Sequence, residues 1–131
     1  MEMKTNYKLA LAALTGAAIG VASAGAILGE QPKPAPGYVV AEVDVSDPVT
    51  FQKYADQVPG TLASFNGRYL VRGGKTVSLE GEAPKRIVVI AFDSIEKARA
   101  WEDSPAYAAI KPIRLRSAKS RVFIVEGLAA P

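Results

Sequence analysis

The stretch YVVAEVDVSDPVTF, residues 38–51, contains a strand and the beginning of a helix. Residues 38–45 are rich in valine and alternate along the chain, which predicts a β-strand with two distinct faces. One face carries Val39, Ala41, Val43 and Val45, and the other carries Tyr38, Val40, Glu42 and Asp44. Asp47 and Pro48 then predict a helix, with Asp47 as the N-cap and Pro48 at the first helical position. We therefore expect a strand that leads directly into a helix.

The predicted first helix has an apolar stripe at helical spacing, which marks its buried face. The stripe consists of Phe51, Ala55, Val58, Leu62 and Phe65. Pro59-Gly60 interrupts it, so we expect either a kink or two short helices. Asn66-Gly67 predicts the C-terminal end of this helical region.

Three further strands are predicted, at residues 68–72, 85–92 and 120–126. Gly73-Gly74 indicates a turn after the first of these, and residues 75–79 a short extension of the hairpin. Residues 87–92 are apolar on both faces, which is typical of a strand that is covered on both sides.

A second helical region is predicted between the last two strands. It begins at Asp93-Ser94, begins again at Ser104-Pro105 and ends at Pro112. The side chains expected to face the core are Ile95, Ala98, Trp101, Tyr107 and Ile110.

The predicted order of elements is therefore βαββαβ, the ferredoxin-like arrangement of an α+β domain with a four-stranded antiparallel sheet. Two helices cover only one face of such a sheet, and the third and fourth strands are apolar on both faces. A monomer would leave a large apolar face in water. We therefore expect a homodimer that packs sheet against sheet and closes a barrel-like interior.

Four strings of residues 38–127 resemble a known family. They are YVVAEVDVSDP, FQKYADQVPGTLASFNGRYLVRGG, RIVVIAFDS and WEDSPAYAAIKPIRLRSAKSRVFIVEG. Their order and spacing resemble domain of unknown function family 1330, which is placed among the dimeric α/β-barrel proteins. The resemblance implies the fold and the dimer but no reaction, because the family has no established activity. The wider superfamily includes cofactor-free monooxygenases, isomerases of ring lactones, haem enzymes and stress-related proteins.

The composition excludes several kinds of chemistry. The 131 residues include no Cys and no His, which excludes disulfides, thiolate nucleophiles, cysteine-ligated zinc and haem held by an imidazole. We expect no metal and no cofactor. The 16 basic and 13 acidic residues are interspersed, and without a basic run we expect no nucleic-acid partner.

The N-terminal residues predict export. Residues 1–24 combine a polar start that contains Lys4, an uncharged apolar stretch and the small residues Ala22-Ser23-Ala24, as in a signal peptide. We expect cleavage after Ala24, and the alternative is cleavage after Ala26. Residues 25–37 then form a proline-rich linker before the domain at 38–127. We expect a periplasmic or secreted protein, and the alternative is a protein anchored in the membrane by an uncleaved N-terminal helix.

The candidate catalytic residues are Glu42, Asp44 and Tyr54. Glu42 and Asp44 lie on the strand face opposite the helices, where enclosure by a dimer would raise the pKa of a carboxyl and make it a base. The alternative is that both are solvated or paired with Arg. Arg72 and Arg86 are predicted to share that face.

The candidate ligand-binding residues are Arg72, Trp101, Ser104, Tyr107 and Arg114. An Arg pair suits a carboxylate or an enolate-like anion, and aromatic side chains suit a flat organic compound. Structural ion pairs and core packing are the alternative roles.

Two functional hypotheses follow. The first is an exported small-molecule-binding protein or cofactor-free enzyme that acts on a small anionic or aromatic compound. The second is a non-catalytic dimeric structural or partner-binding module of the cell envelope. A cavity lined by Arg72, Trp101 and Tyr107 favours the first, and a solid interior favours the second.

Overall fold

A computed structural model describes residues 33–130, and the elements follow the predicted order. They are β1 Gly37–Val45, α1 Pro48–Leu62, a 3₁₀ turn Ala63–Phe65, β2 Arg68–Arg72, β3 Arg86–Phe92, α2 Ile95–Glu102, α3 Pro105–Ser117 and β4 Ala118–Glu126. The predicted signal segment 1–24 and residues 25–32 of the predicted linker lie outside the described residues. Within residues 33–130, no helix combines the length and the apolar character needed to cross a bilayer.

The sheet has the strand order β2-β3-β1-β4, and every neighbouring pair is antiparallel. This is the predicted ferredoxin-like topology. Val39 on the central strand β1 lies between Ile90 of β3 and Ile124 of β4. The register therefore aligns the valine face of β1 with apolar residues on both neighbouring strands.

The helices begin at the predicted caps. The Asp47 carboxylate accepts from the Thr50 N–H at 3.1 Å, and the Ser104 hydroxyl accepts from the Tyr107 N–H at 3.2 Å. Ser94 caps α2 in the same way. Each side chain satisfies a donor that the first turn of a helix leaves free.

The core lies between the helices and the face of the sheet that carries Val39 and Val43. Its buried side chains are Val39, Val43, Phe51, Ala55, Val58, Leu62, Ile90, Phe92, Ala98, Trp101, Tyr107 and Ile110. The predicted stripe of α1 and the predicted inner positions of the second helical region supply most of them. Ile95 and Phe65 are only partly buried.

Both helices that contain an internal proline continue past it. α1 is one continuous helix through Pro59, so the prediction of two short helices is wrong. α3 continues past Pro112 to Ser117, so the prediction that Pro112 ends it is also wrong. A proline removes one helical hydrogen bond, but burial of side chains on both sides of it holds the helix together.

The predicted extension of the hairpin over residues 75–79 is absent, and no strand forms between Gly73 and Lys85. Val77 and Leu79 are 74% and 92% exposed, so alternation alone does not give this segment a buried face. The residues that would have to pair with it, 80–84, include Gly81 and Pro84, which disfavour a strand.

Candidate functional site

A narrow cavity of about 40 Å³ lies between the helices and the inner face of the sheet. Its lining consists of Val39, Ala41, Val43, Phe51, Tyr54, Ala55, Val58, Tyr69, Arg72, Arg86, Val88, Ile90, Trp101, Tyr107, Arg114 and Val122. The walls are mainly aliphatic and aromatic, and the polar groups are three arginines and three tyrosines together with the indole of Trp101. No acidic residue is among them. The cavity has room for about three water-sized groups.

The three arginines of the cavity are Arg72, Arg86 and Arg114. Within residues 33–130, no carboxylate oxygen lies within 4.0 Å of any of their nitrogens, because the ion pairs there involve other basic residues. The cavity therefore concentrates positive charge that the described part of the chain does not neutralise by contact.

Arg114 is the most deeply placed of the three. It follows Tyr107 and Ile110 on the buried stripe of α3, and only 6% of the residue is exposed. Its Nε atom is buried and has no hydrogen-bond partner among the described residues. Burial by itself lowers the pKa of the guanidinium, but the Tyr107 hydroxyl and other neighbours more than offset it and leave the pKa above its ordinary value. Arg114 is therefore a cation at physiological pH.

A bulge in β2 brings Arg72 to the cavity. Tyr69 lies opposite Ile90 and Arg72 opposite Val88, so three residues of β2 span two of β3. One extra residue between Tyr69 and Val71 thus puts Tyr69 and Arg72 on the same face of the sheet. The prediction that Arg72 shares the face of Glu42 is wrong for this reason.

Two contacts hold the Arg72 guanidinium. Its Nη2 donates to the Ala55 carbonyl at 3.2 Å, and its Cζ lies 4.6 Å from the centroid of the Tyr69 ring. The Ala55 carbonyl is available because Pro59, four residues later in α1, has no N–H to donate to it. Arg72 therefore completes the hydrogen bonding of the helix as well as lining the cavity.

Arg86 also lies on the inner face, opposite Val43 of β1, and not on the face of Glu42 as predicted. Its guanidinium lies over the Phe51 ring at 5.4 Å and against the backbone of Gly73. Gly73 has a φ of 65°, and a Cβ there would collide with the Arg86 guanidinium. The turn after β2 thus favours glycine for its backbone conformation, and a side chain there would also displace the Arg86 guanidinium.

Tyr54 and Tyr107 form a hydroxyl pair across α1 and α3, with 2.8 Å between the two oxygens. Burial raises the pKa of Tyr54, and the neighbouring Tyr107 raises it further. Tyr54 therefore stays protonated at neutral pH. The pair can donate one hydrogen bond to a ligand, but Tyr54 cannot act as a phenolate base.

Trp101 and Ser104 are held by bonds within the protein. The indole N–H of Trp101 donates to the Thr61 hydroxyl at 2.9 Å, and the Trp101 ring lies 4.1 Å from the Tyr107 ring. The Ser104 hydroxyl donates to the Trp101 carbonyl at 2.7 Å while it caps α3. Trp101 is among the residues that line the cavity, and Ser104 is not.

Glu42 and Asp44 lie on the outer face of the sheet, away from the cavity. Arg121 Nε donates to Glu42 Oε2 at 2.6 Å, and Lys85 Nζ lies 3.4 Å from Asp44 Oδ2. The hydrogen bond from Arg121 lowers the pKa of Glu42, which is opposite to the shift that a base requires. In the described chain these carboxylates are paired with cations.

Of the polar residues that line the cavity, Tyr69 was not a candidate, and Arg86 was predicted only to share a sheet face with Arg72. Tyr69 lies in a strand of alternating apolar character, where an aromatic residue is expected in the core. Arg86 begins an apolar strand, where a buried charge is uncommon. That contrast is the only signal in the sequence for Arg86. Within residues 33–130, no group of three acidic side chains is placed to hold a metal ion.

The family model described as domain of unknown function (DUF1330) matches residues 36–128. Three solved structures share the fold at low identity. A protein of unknown function from Rhodopseudomonas palustris has a TM-score of 0.60 at 15% identity, over 82% of this chain and 94% of its own. A hypothetical protein from Arabidopsis thaliana has a TM-score of 0.55 at 18% identity, over 78% and 96%. SnoaB, a cofactor-independent oxygenase from Streptomyces nogalater, has a TM-score of 0.52 at 14% identity, over 73% and 96%. No curated protein sequence matches the chain.

Proposed function

This chain belongs to the DUF1330 family, and we propose that it binds an organic anion with the anionic group in the cavity between helices and sheet. The observation that carries the proposal is Arg114, a nearly buried cation without a carboxylate within 4.0 Å in the described chain. The Nε of Arg114 is buried without a hydrogen-bond partner in the described chain, and a bound oxyanion supplies an acceptor for it. A carboxylate suits the planar guanidinium because it accepts two parallel hydrogen bonds.

The size of the cavity restricts what it holds. A cavity of roughly 150 Å³ takes up benzene. The cavity of about 40 Å³ therefore fits a carboxylate or an enolate oxygen but not a whole aromatic ring. Of the predicted ligand classes, this supports the anionic group. The lining by Arg72, Trp101 and Tyr107 favours the small-molecule hypothesis over a solid structural module.

The polar groups of the cavity favour binding over proton abstraction. Arginines and the Tyr54 hydroxyl stabilise negative charge on an oxygen, as in an enolate. A cofactor-free enzyme that polarises its substrate is the catalytic form of the proposal, and SnoaB is an oxygenase that shares the fold. A base is needed to create such an enolate, and none lies among the lining residues.

The test compares Arg114→Met with Arg116→Met, an equal change at an exposed position of the same helix. Acetate is titrated at constant ionic strength against chloride, and binding is followed by NMR shifts of the backbone amides. We expect acetate to shift amides around the cavity in the parent and in Arg116→Met, and to have no effect on Arg114→Met.

A parent that does not respond to acetate contradicts the proposal. If Arg114→Met destabilises the protein and the parent ignores acetate, Arg114 has a structural role and the cavity binds no anion. Native mass spectrometry of the purified parent adds a direct search for a small acid carried through purification.

We also propose a homodimer, supported by the outer face of the sheet. Val40, Val71, Val89, Phe123 and Val125 lie on that face, where Phe123 and Val125 are 43% and 45% exposed. Packing two such faces together would remove them from water. Sedimentation of Val89→Lys against Leu79→Lys, an exposed loop control, tests this. A parent that sediments as a monomer, or a Val89→Lys that stays dimeric, rules out this interface.

Export of the mature protein is proposed from the pattern of residues 1–24. The mass and N-terminal sequence of the protein recovered from a periplasmic fraction test it. A mature chain that starts at Gly25 supports cleavage, and an intact chain found in the membrane fraction supports the anchor.

A further inference from the structure

A groove of about 500 Å³ lies on the other side of Arg114, between α2, α3 and the edge strand β4. Val39, Arg114 and Val122 line both the groove and the cavity, so these three residues form the wall between them. The groove is large enough for the body of an organic ligand, since such sites usually span about 300–1,000 Å³. The cavity is not.

The chemistry of the groove is amphipathic. Its apolar surface comes from Ile95, Leu115, Val122, Phe123 and Ile124. Leu115 is 61% exposed, and nothing in the described chain covers it. An alkyl or aryl body placed there would be removed from water together with these side chains.

The charged residues of the groove leave a positive balance at its rim. Lys111 Nζ lies 2.7 Å from Glu102 Oε1, so this pair is internally compensated. Arg99 has no carboxylate within 4.0 Å among residues 33–130. Together with Arg114 it favours the approach of an anion.

Arg114 is the charged residue of the wall that the two spaces share. Only 6% of Arg114 is exposed, and its Nε has no hydrogen-bond partner in the described chain. The Ser120 hydroxyl in the groove is also buried without a partner in the described chain. Two of the three buried side-chain atoms without a partner in the described chain thus belong to residues of the groove, and the third is Arg86 Nε in the cavity, as expected of a site completed by a ligand.

From these observations we infer that the ligand is an elongated amphipathic carboxylate, whose carboxylate lies at Arg114 in the cavity and whose apolar body lies in the groove. The inference rests on the proposed function, because it takes the anionic group to occupy the cavity. It adds the class of compound, since acetate-sized acids fill the cavity but leave the groove empty.

The test is a series of straight-chain acids, acetate, butanoate, hexanoate and octanoate, titrated by NMR into the full protein at constant ionic strength. Each methylene buried in the groove should strengthen binding about fourfold. Amides of α3 and β4 should shift with the longer acids. Equal affinities along the series would overturn the inference while leaving the proposed function intact.

A matched pair of variants locates the body of the ligand. Leu115→Asn shortens the apolar wall at an exposed position, and Leu79→Asn makes the same change in the loop before β3. We expect Leu115→Asn to weaken octanoate about fourfold, the equivalent of one methylene, without changing acetate. Leu79→Asn should change neither.

The remaining outcomes separate the two proposals. Octanoate binding that is unaffected by Leu115→Asn but lost in Arg114→Met places the body outside the groove and rejects the inference alone. Binding of octanoate that survives Arg114→Met rejects the proposed function, and an absence of binding throughout the series rejects both.

Discussion

The effects of substitutions at Arg72 and Pro59 on the free energy of unfolding should be coupled, although the two residues are distant in the sequence. The Arg72 guanidinium donates to the Ala55 carbonyl at 3.2 Å, and Pro59 cannot supply the helical N–H that would normally do so. Arg72→Met removes the donor and keeps a long apolar side chain. Pro59→Ala restores an N–H four residues after Ala55, so in that background the carbonyl no longer depends on Arg72.

The expected magnitudes come from the two contacts of Arg72. The hydrogen bond from a charged donor contributes about 1.5 kcal/mol, and the contact with the Tyr69 ring about 0.5 kcal/mol. Arg72→Met should therefore cost about 2 kcal/mol in the native sequence. Beside Pro59→Ala it should cost only the aromatic contact, about 0.5 kcal/mol, which gives a coupling of about 1.5 kcal/mol.

Urea unfolding of the parent, both single variants and the double variant at equal concentration measures this coupling. The slopes of free energy against urea must agree, so that the differences refer to the same transition. If Arg72→Met costs the same in both backgrounds, the bond to Ala55 contributes nothing. The guanidinium would then be available in full to a ligand, and the structural account of Arg72 would be refuted.

Three further predictions concern residues with defined partners. Ser104→Ala should cost about 1 kcal/mol in urea unfolding, as the loss of an N-cap does, and leave acetate binding unchanged; weaker binding at unchanged stability would contradict this. Thr61→Val should cost about 1–3 kcal/mol because it leaves the buried Trp101 N–H without an acceptor, whereas Thr61→Ser should be close to neutral in the same assay. Because Arg121 lowers the pKa of Glu42 from 4.5, its carboxylate stabilises the fold above that pH and ceases to do so as acid protonates it. The stability difference between parent and Glu42→Gln should thus shrink on acidification below about pH 4.5, and a difference that grows there would contradict it.

The order of elements could be predicted because its signals are local. Each of the three helices begins after an N-cap residue that the sequence predicts, namely Asp47, Ser94 and Ser104. The alternation of β1 likewise predicts which of its faces is buried. The strand predicted at residues 75–79 does not form because alternation does not supply a partner strand. The prediction that Pro112 ends the helix was wrong because packing around α3 outweighs one missing hydrogen bond.

The site was less predictable because its geometry depends on non-local features. Arg114 follows from helical periodicity, since it continues the stripe of Tyr107 and Ile110. The sheet face on which Arg72 lies could not be predicted, because the bulge in β2 occurs within Arg68–Arg72, where no glycine indicates it. The partner of Glu42 could not be predicted either, because pairing with Arg121 requires the register of β1 against β4.

Three departures from regular backbone lie around the arginines of the cavity. Pro59 frees the carbonyl that holds Arg72, the bulge in β2 turns Arg72 towards the helices, and Gly73 in a left-handed conformation makes room for Arg86. Each departure forgoes regular hydrogen bonding or backbone freedom, and none is needed to bury the apolar core. Departures of this kind tend to collect where a protein places functional groups. Their convergence on two guanidinium groups argues that the charge itself is what this end of the fold is built to hold.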